Sequence, residues 1–202
     1  NPIIDPILLQ QKELHVDHPW FSEAATPIVI GVGRLSPQKG FSGLVKAITR
    51  VNRVRPVRLV ILGEGDEREN LENLIRNLGM EENVWLPGYV DNPFAYINGA
   101  NLFVLSSLWE GLPSVLVEAM ACGTSVLSTD CPAGPSEILE GGKFGRLIPV
   151  GDLNAMTQGI LDGLAHAQDP GALIQRASLF FSPVAVQGYI DLFPQPRVGQ
   201  SA

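Results

Sequence analysis

Apolar residues along this chain follow two alternating spacings. Residues 27–33 (PIVIGVG) and 57–63 (VRLVILG) form nearly unbroken apolar runs rich in β-branched side chains, as expected of strands buried on both faces. Shorter runs at 83–86, 101–105, 124–129 and 145–148 predict four more strands. Between them, apolar residues recur every three or four positions, as one buried face of a helix requires. Phe41, Leu44, Val45, Ile48 and Val51 mark one such helix. Leu71, Leu74, Ile75 and Leu78 mark a second, with Asp66 as the expected cap, Glu69 three residues later and Gly79 at its close. Further helices are predicted at 92–99 with Pro93 in the first turn, at 113–121, at 135–139, at 152–164 under Asp152 as cap, and at 183–192. The 113–121 helix is apolar nearly all round, so it is expected to be buried.

Strand and helix alternating in this way predict an α/β fold, a Rossmann-like doubly wound parallel sheet of about six strands with helices on both faces. In such a sheet ligands bind beyond the carboxyl ends of the strands. The chemistry is therefore expected in the loops that leave the strands. Residues 1–26, punctuated by Pro2, Pro6 and Pro19 and with a short helix expected at 8–14, form a lead-in. Residues 27–180 form the domain, 181–193 carry the final helix, and 194–202, with Pro194, Pro196 and Gly199, are expected to be a disordered tail.

Composition narrows the function classes. The 202 residues, 45% hydrophobic and 17% charged, suit one soluble globular domain. A formal net charge of −7 argues against nonspecific nucleic-acid binding, which needs a basic surface. No apolar run approaches the roughly 18 residues of a membrane-spanning helix. No signal peptide is recognisable, and a start at Asn1 instead of Met leads us to expect a piece of a longer protein. Cys122 and Cys131 are expected to be buried reduced thiols. His15 and His18 have a metal-like spacing but no cysteine or paired carboxylates beside them, so no metal site is expected there.

The loop after the first strand reads Gly31-Val32-Gly33-Arg34-Leu35-Ser36-Pro37-Gln38-Lys39-Gly40. Ser36 stands where a dinucleotide-binding fingerprint needs its third glycine, no acidic residue follows about 20 positions on, and no P-loop is present. These departures disfavour a dehydrogenase. Arg34 and Lys39 remain at the mouth of the sheet. A guanidinium fork and a compact ammonium suit a diphosphate; two solvated surface cations are the alternative. The second strand leaves through Gly63-Glu64-Gly65-Asp66, which fits either a tight turn beneath a ligand or a solvent-exposed acid.

The strongest signal follows the fourth strand: Ser106-Ser107-Leu108-Trp109-Glu110-Gly111-Leu112-Pro113-Ser114-Val115-Leu116-Val117-Glu118-Ala119-Met120. Pro113 at the first helical position would leave the amides of Ser114, Val115 and Leu116 at the positive helix end, ready for an anion, with Gly111 leaving it room. Glu118 lies one turn above Ser114 on the same face. A carboxylate on an otherwise apolar helix calls for a partner. The hydroxyls of a ribose would be one, a structural ion pair with a buried arginine another. Glu110 can face a ligand from the preceding loop. After the fifth strand, Asp130 to Glu137 opens another short helix, where Glu137 serves either a ligand or its own helix start.

At these residues the chain resembles the donor-binding, C-terminal half of a family four glycosyltransferase, one half of the GT-B architecture. The resemblance rests on Glu110 and Glu118 with seven residues between them, on Gly33-Arg34-Leu35 with Lys39-Gly40, on Gly63-Glu64-Gly65, on Glu118-Ala119-Met120-Ala121 with Gly123, and on the run from Asp130 to Glu137. It implies a hexosyltransferase-type enzyme that uses a nucleotide-diphosphate sugar, most commonly a UDP-sugar, with retention of anomeric configuration and no cofactor. Arg34, Lys39 and Glu110 would be its catalytic residues, the cations at the diphosphate and Glu110 at the sugar. Gly33, Gly63, Tyr89, Gly111, Leu112, Ser114, Val115 and Glu118 would bind the donor, with Glu118 at the ribose and the base near Pro87, Gly88 and Tyr89. No Asp-x-Asp pair exists for a diphosphate-bound metal, so the two cations are expected to take the metal's place.

By the same resemblance, an acceptor-binding domain would precede Asn1, residues 1–26 would join the two domains, and the final helix would return to the first. The acceptor would be a glycan or a lipid-linked sugar, in polysaccharide biosynthesis, in the cytoplasm or at a membrane periphery. The chain departs from the pattern at Cys131-Pro132-Ala133-Gly134-Pro135, where many members carry a Gly-Gly pair. A nucleotide-sugar binding module inactive on its own, and an epimerase or phosphorylase of the same architecture, are the alternatives. Arg50, Arg53, Arg55 and Arg58 gather near the end of the first helix, either to satisfy its negative pole or to touch lipid.

Overall fold

The computed structural model describes residues 9–22 and 26–181. The predicted helix at 183–192, the tail at 194–202 and part of the lead-in lie outside the described residues. Six strands, β1 (Ile28–Val32), β2 (Arg58–Leu62), β3 (Val84–Gly88), β4 (Leu102–Leu105), β5 (Val126–Thr129) and β6 (Arg146–Ile148), form one sheet in the order β3-β2-β1-β4-β5-β6. Every pairing is parallel. The strand order reverses between β1 and β4, so the crevice beyond their carboxyl ends is the switch point of the fold.

The helices are α1 (Pro19–Ser22), α2 (Phe41–Asn52), α3 (Arg68–Asn77), α4 (Pro93–Asn98), α5 (Ser114–Cys122), α6 (Pro135–Ile138), α7 (Leu153–Ala165) and α8 (Pro170–Ser178). They form two layers because strand side chains alternate between faces. Val29, Leu59, Ile61, Leu102 and Val104 pack with α2, α3 and α7. Ile28, Ile30, Val60, Leu62, Phe103 and Leu105 pack with α4, α5 and α8. Full burial of each such side chain contributes about 1.5–3 kcal/mol. In α5 only Ser114 and Glu118 escape full burial, as its all-round apolar sequence predicts.

Several helix boundaries differ from the sequence expectation. Asp152 caps α7 as predicted, its Oδ1 accepting the amides of Asn154 and Ala155 at 2.9 Å. Asp66 does not cap α3, whose cap position is Glu67 without a side-chain bond. Asp66 sits one residue too early, in the turn tied down by the Glu67 amide donating to the Leu35 carbonyl. Pro113 occupies the cap position of α5, not its first helical residue, because its ψ of 90° is extended. The lead-in forms a 3-10 turn at Gln10–Glu13. Helix α8 was not predicted, although Asp169 caps it through the Gly171 amide and Pro170 opens it. Among the described residues no helix is long and apolar enough to cross a membrane.

Candidate functional site

The loops leaving β1 and β2 continue the strand ladder past the sheet. Gly33 donates its amide to the Leu62 carbonyl at 3.0 Å, Gly63 to Gly88 at 2.8 Å, and Leu35 to Glu64 at 2.9 Å. These loops touch backbone to backbone. At Gly63, φ is +133° and a Cβ would land on the Gly33 carbonyl oxygen. At Gly40, φ is +63° and a Cβ would land on the carbonyl oxygen of Ser106. Only glycine allows either approach.

The β1 loop is also fastened to the loop after β4. The Leu108 amide donates to the Gln38 carbonyl at 2.8 Å, and Gln38 Nε2 donates to the Trp109 carbonyl at 2.9 Å. This double tie brings Lys39 to Glu110. Lys39 Nζ stands 2.7 Å from Glu110 Oε1, with the side chains 17% and 7% exposed. The lysine stem lies along Gly33, where a Cβ would meet Lys39 Cε at 3.0 Å. For Lys39 the reading as a solvated surface cation is therefore wrong, because an ammonium so enclosed needs its carboxylate partner.

Arg34 is exposed and borders a cleft of about 360 Å³ with Val32, Gly33, Leu62, Gly63, Glu64, Tyr89, Val90 and Pro93. The cleft lies beyond β1, β2 and β3. Tyr89 presents its ring to solvent there, 75% exposed. Glu64 is exposed yet engaged: both its carboxylate oxygens accept from Arg68 at 2.7 Å, and these bonds hold its pKa below the ordinary carboxylate value. Thus Arg34, Gly33, Gly63 and Tyr89 gather at one cleft. Lys39 and Glu110 meet at its Gly33 side.

Gly111, Leu112 and Ser114 lie exposed at the start of α5, while the Val115 side chain is in the core. The Leu116 amide donates to the Pro113 carbonyl at 3.0 Å, so it is not available to an anion as expected from sequence. With Pro113 at the cap, the amides of Ser114 and Val115 form the positive end. Glu118 stands one turn further on. Burial raises its pKa above the usual carboxylate value, and a hydrogen bond from Ser114 pulls it back. Glu118 is not among the residues lining the Arg34 cleft.

The thiols of Cys122 and Cys131 are free and buried, as expected; burial pushes the Cys122 thiol up to about 12. Glu137 is exposed, and its carbonyl and that of Ile138 accept from Arg176 at 2.8 and 2.9 Å. Arg50 donates to Asn154 Oδ1 at 2.6 Å and Arg58 lies over the Trp20 ring, so half of the arginine group has local work. Ser106, Ser107, Gln38 and Thr129 build the site although sequence reasoning assigned them no role. Consecutive serines ending an apolar strand are the available signal.

Comparison with known proteins identifies the family. Residues 16–180 match the family described as "Glycosyl transferases group 1". The chain is 44% identical over 113 residues to an uncharacterized glycosyltransferase of Methanocaldococcus jannaschii, covering 55% of this chain and 28% of that protein. It is 37% identical over 132 residues to the N-acetylgalactosamine-N,N′-diacetylbacillosaminyl-diphospho-undecaprenol 4-α-N-acetylgalactosaminyltransferase of Campylobacter jejuni, covering 65% of this chain and 36% of that one. The chain thus spans well under half the length of these relatives.

Among solved structures, it is similar to a Staphylococcus aureus TarM variant in complex with fondaparinux, α-GlcNAc-glycerol and UDP. The TM-score is 0.76 at 25% identity, covering 86% of this chain and 37% of that one. It is also similar to sucrose-phosphate synthase from Thermosynechococcus elongatus, with a TM-score of 0.74 at 29% identity, covering 85% and 46%. A family model matched over residues 16–180, on a six-stranded parallel sheet like that of GT-B glycosyltransferases, makes this chain a member of the group 1 glycosyl transferases.

Proposed function

We propose that this chain is the donor-binding half of a retaining glycosyltransferase, and that its crevice takes a nucleotide-diphosphate sugar, most readily a UDP-sugar. The observation that carries this reading is the Lys39–Glu110 pair, which joins the β1 and β4 loops and lies against Gly33 at the edge of the Arg34 cleft. The base lies against Tyr89 in the cleft, the diphosphate between Arg34 and Lys39, the ribose hydroxyls at Glu118 and the sugar at Glu110. The TarM variant was solved with UDP, which supports a uridine nucleotide here.

The chemistry follows from charge. As the glycosidic bond breaks, negative charge grows on the departing diphosphate and the sugar gains oxocarbenium character. The amides of Ser114 and Val115 are fixed donors that stabilise the leaving group with little reorganisation, while Arg34 brings its exposed guanidinium and Lys39 an ammonium shared with Glu110. They take the place of a divalent cation. The acceptor is a glycan or lipid-linked sugar, a reading supported by the diphospho-undecaprenol in the name of the Campylobacter relative. It is met by a second domain of the whole protein, in the cytoplasm or at a membrane periphery.

Calorimetric titration with UDP, GDP, ADP and CMP, each with magnesium and with EDTA, tests the proposal. Saturable, EDTA-insensitive binding of one diphosphate, weakened in Glu118→Ala, is the expected result. A folded chain that binds none of them, also when joined to the rest of its protein, would end this reading.

A further inference from the structure

The Lys39–Glu110 pair rests on two consecutive hydroxyls at the end of β4. Ser106 and Ser107 are 3% and 0% exposed. The Ser106 hydroxyl donates to the Lys39 carbonyl at 2.7 Å, fixing the backbone that carries the ammonium. The Ser107 hydroxyl donates to Glu110 Oε1 at 2.6 Å, fixing the carboxylate itself. Ser107 is in turn held, since its carbonyl accepts the Thr129 hydroxyl from β5 at 2.6 Å. Among the described residues, both polar contacts of the Glu110 carboxylate, from Ser107 and from Lys39, converge on Oε1. They orient the group by one oxygen and leave Oε2 to address something else.

We propose that Ser106 and Ser107 are positioning residues that divide the site between them, Ser106 setting the cation for the diphosphate and Ser107 setting the Oε2 edge of Glu110 for the sugar of the donor. The division rests on the donor-site reading above. Its physical basis is that a carboxylate held through one oxygen by a buried, relayed hydroxyl loses its torsional freedom before the ligand arrives, so binding does not have to order it. A serine buried only for packing would show no preference between the two halves of a donor.

The test has a ligand-free arm and a binding arm. Crystal structures of the ligand-free wild type, Ser107→Ala and Ser107→Thr come first. The Glu110 carboxylate is expected to keep its contact with Lys39 but to rotate about it in the alanine variant, displacing Oε2, and to keep its place in the threonine variant. A carboxylate that stays put without the hydroxyl overturns the positioning role, whatever the chain binds. Calorimetry with UDP, UDP-glucose and UDP-N-acetylglucosamine follows. Ser107→Ala is expected to leave UDP affinity within about twofold while removing about tenfold of the affinity for whichever UDP-sugar the wild type binds better, and Ser107→Thr to restore it. Ser106→Ala is expected to weaken UDP and UDP-sugar alike. Equal losses of UDP and UDP-sugar in Ser107→Ala, or no loss in either serine variant, contradict the division. Absence of UDP binding to the wild type would instead remove the donor-site reading and leave the structural arm to decide the placement of Glu110.

Discussion

Lys39 and Glu110, 71 residues apart in sequence, meet at 2.7 Å between Nζ and Oε1, and the contact neutralises in the ligand-free chain the cation that a diphosphate would use. A diphosphate must therefore compete with a carboxylate already in place. Glu110→Gln would leave Lys39 enclosed without its partner, which destabilises the fold. It would also remove a negative charge next to the incoming phosphates. The variant is expected to melt earlier and to bind UDP more tightly, by about threefold or more. Calorimetry beside thermal melts measures both, and weaker UDP binding by a folded variant would refute competition.

Arg34 is solvent-exposed at the cleft edge and makes no visible structural contribution to the core. Arg34→Ala is expected to lower UDP affinity about tenfold, since a charge-assisted hydrogen bond contributes about 1.5–3 kcal/mol, while uridine binding stays unchanged. Equal losses for uridine and UDP would place the guanidinium away from the phosphates.

Glu118 links binding to stability with a definite sign. Burial raises its pKa in the folded chain above the ordinary value of 4.5. Between that value and the folded pKa, the folded state holds more protons than the unfolded one, so stability falls as pH rises through this window. Glu118→Gln removes the buried charge. It is expected to raise the melting temperature of the ligand-free chain at pH 7, with the advantage shrinking as pH falls towards 4.5. The same substitution is expected to weaken nucleotide binding by about 1–3 kcal/mol, as the ribose hydroxyls exchange a two-oxygen carboxylate for an amide with a single neutral acceptor. Melts across pH 4.5–8 paired with UDP titration check both signs.

Two glycines make opposite predictions. Gly63→Ala forces a methyl group onto the Gly33 carbonyl at a φ of +133° and is expected to destabilise by about 3 kcal/mol. Gly43, inside α2 with open space around its Cβ position, should gain about 0.5–1 kcal/mol on becoming alanine. Chemical denaturation of both variants reads the contrast.

The sheet was legible because β1 and β2 are buried on both faces, so the runs at 27–33 and 57–63 state their depth without help from the rest of the chain. Helix α8 had a readable start in Asp169 and Pro170, but it buries only Leu173 and Ala177, too few for a periodic signal. The choice between Asp66 and Glu67 was hidden because a cap depends on where the chain turns, here fixed by a bond from the Glu67 amide to the distant Leu35 carbonyl. Arg34, Lys39, Glu110 and Glu118 were each suspected as polar residues in glycine-bearing loops or on an apolar helix. That Lys39 and Glu110 occupy each other, and that Ser107 holds the pair, depends on loops meeting across the reversal of strand order, which local sequence does not encode.

That reversal also sets where the chain must close a long loop. Strands β1, β2 and β3 follow one another with their helices, as do β4, β5 and β6, so each trio can assemble from nearby segments. The seam between them needs the Ile28 amide to reach the Asn101 side chain, 73 residues away. Closing so long a loop costs more chain entropy than the pairings inside either trio. The Lys39–Glu110 contact lies on this seam. A nucleotide that bridges the β1 and β4 loops acts as a clasp across the joint: by favouring the docked state it lowers the frequency of the opening from which the chain would otherwise begin to come apart.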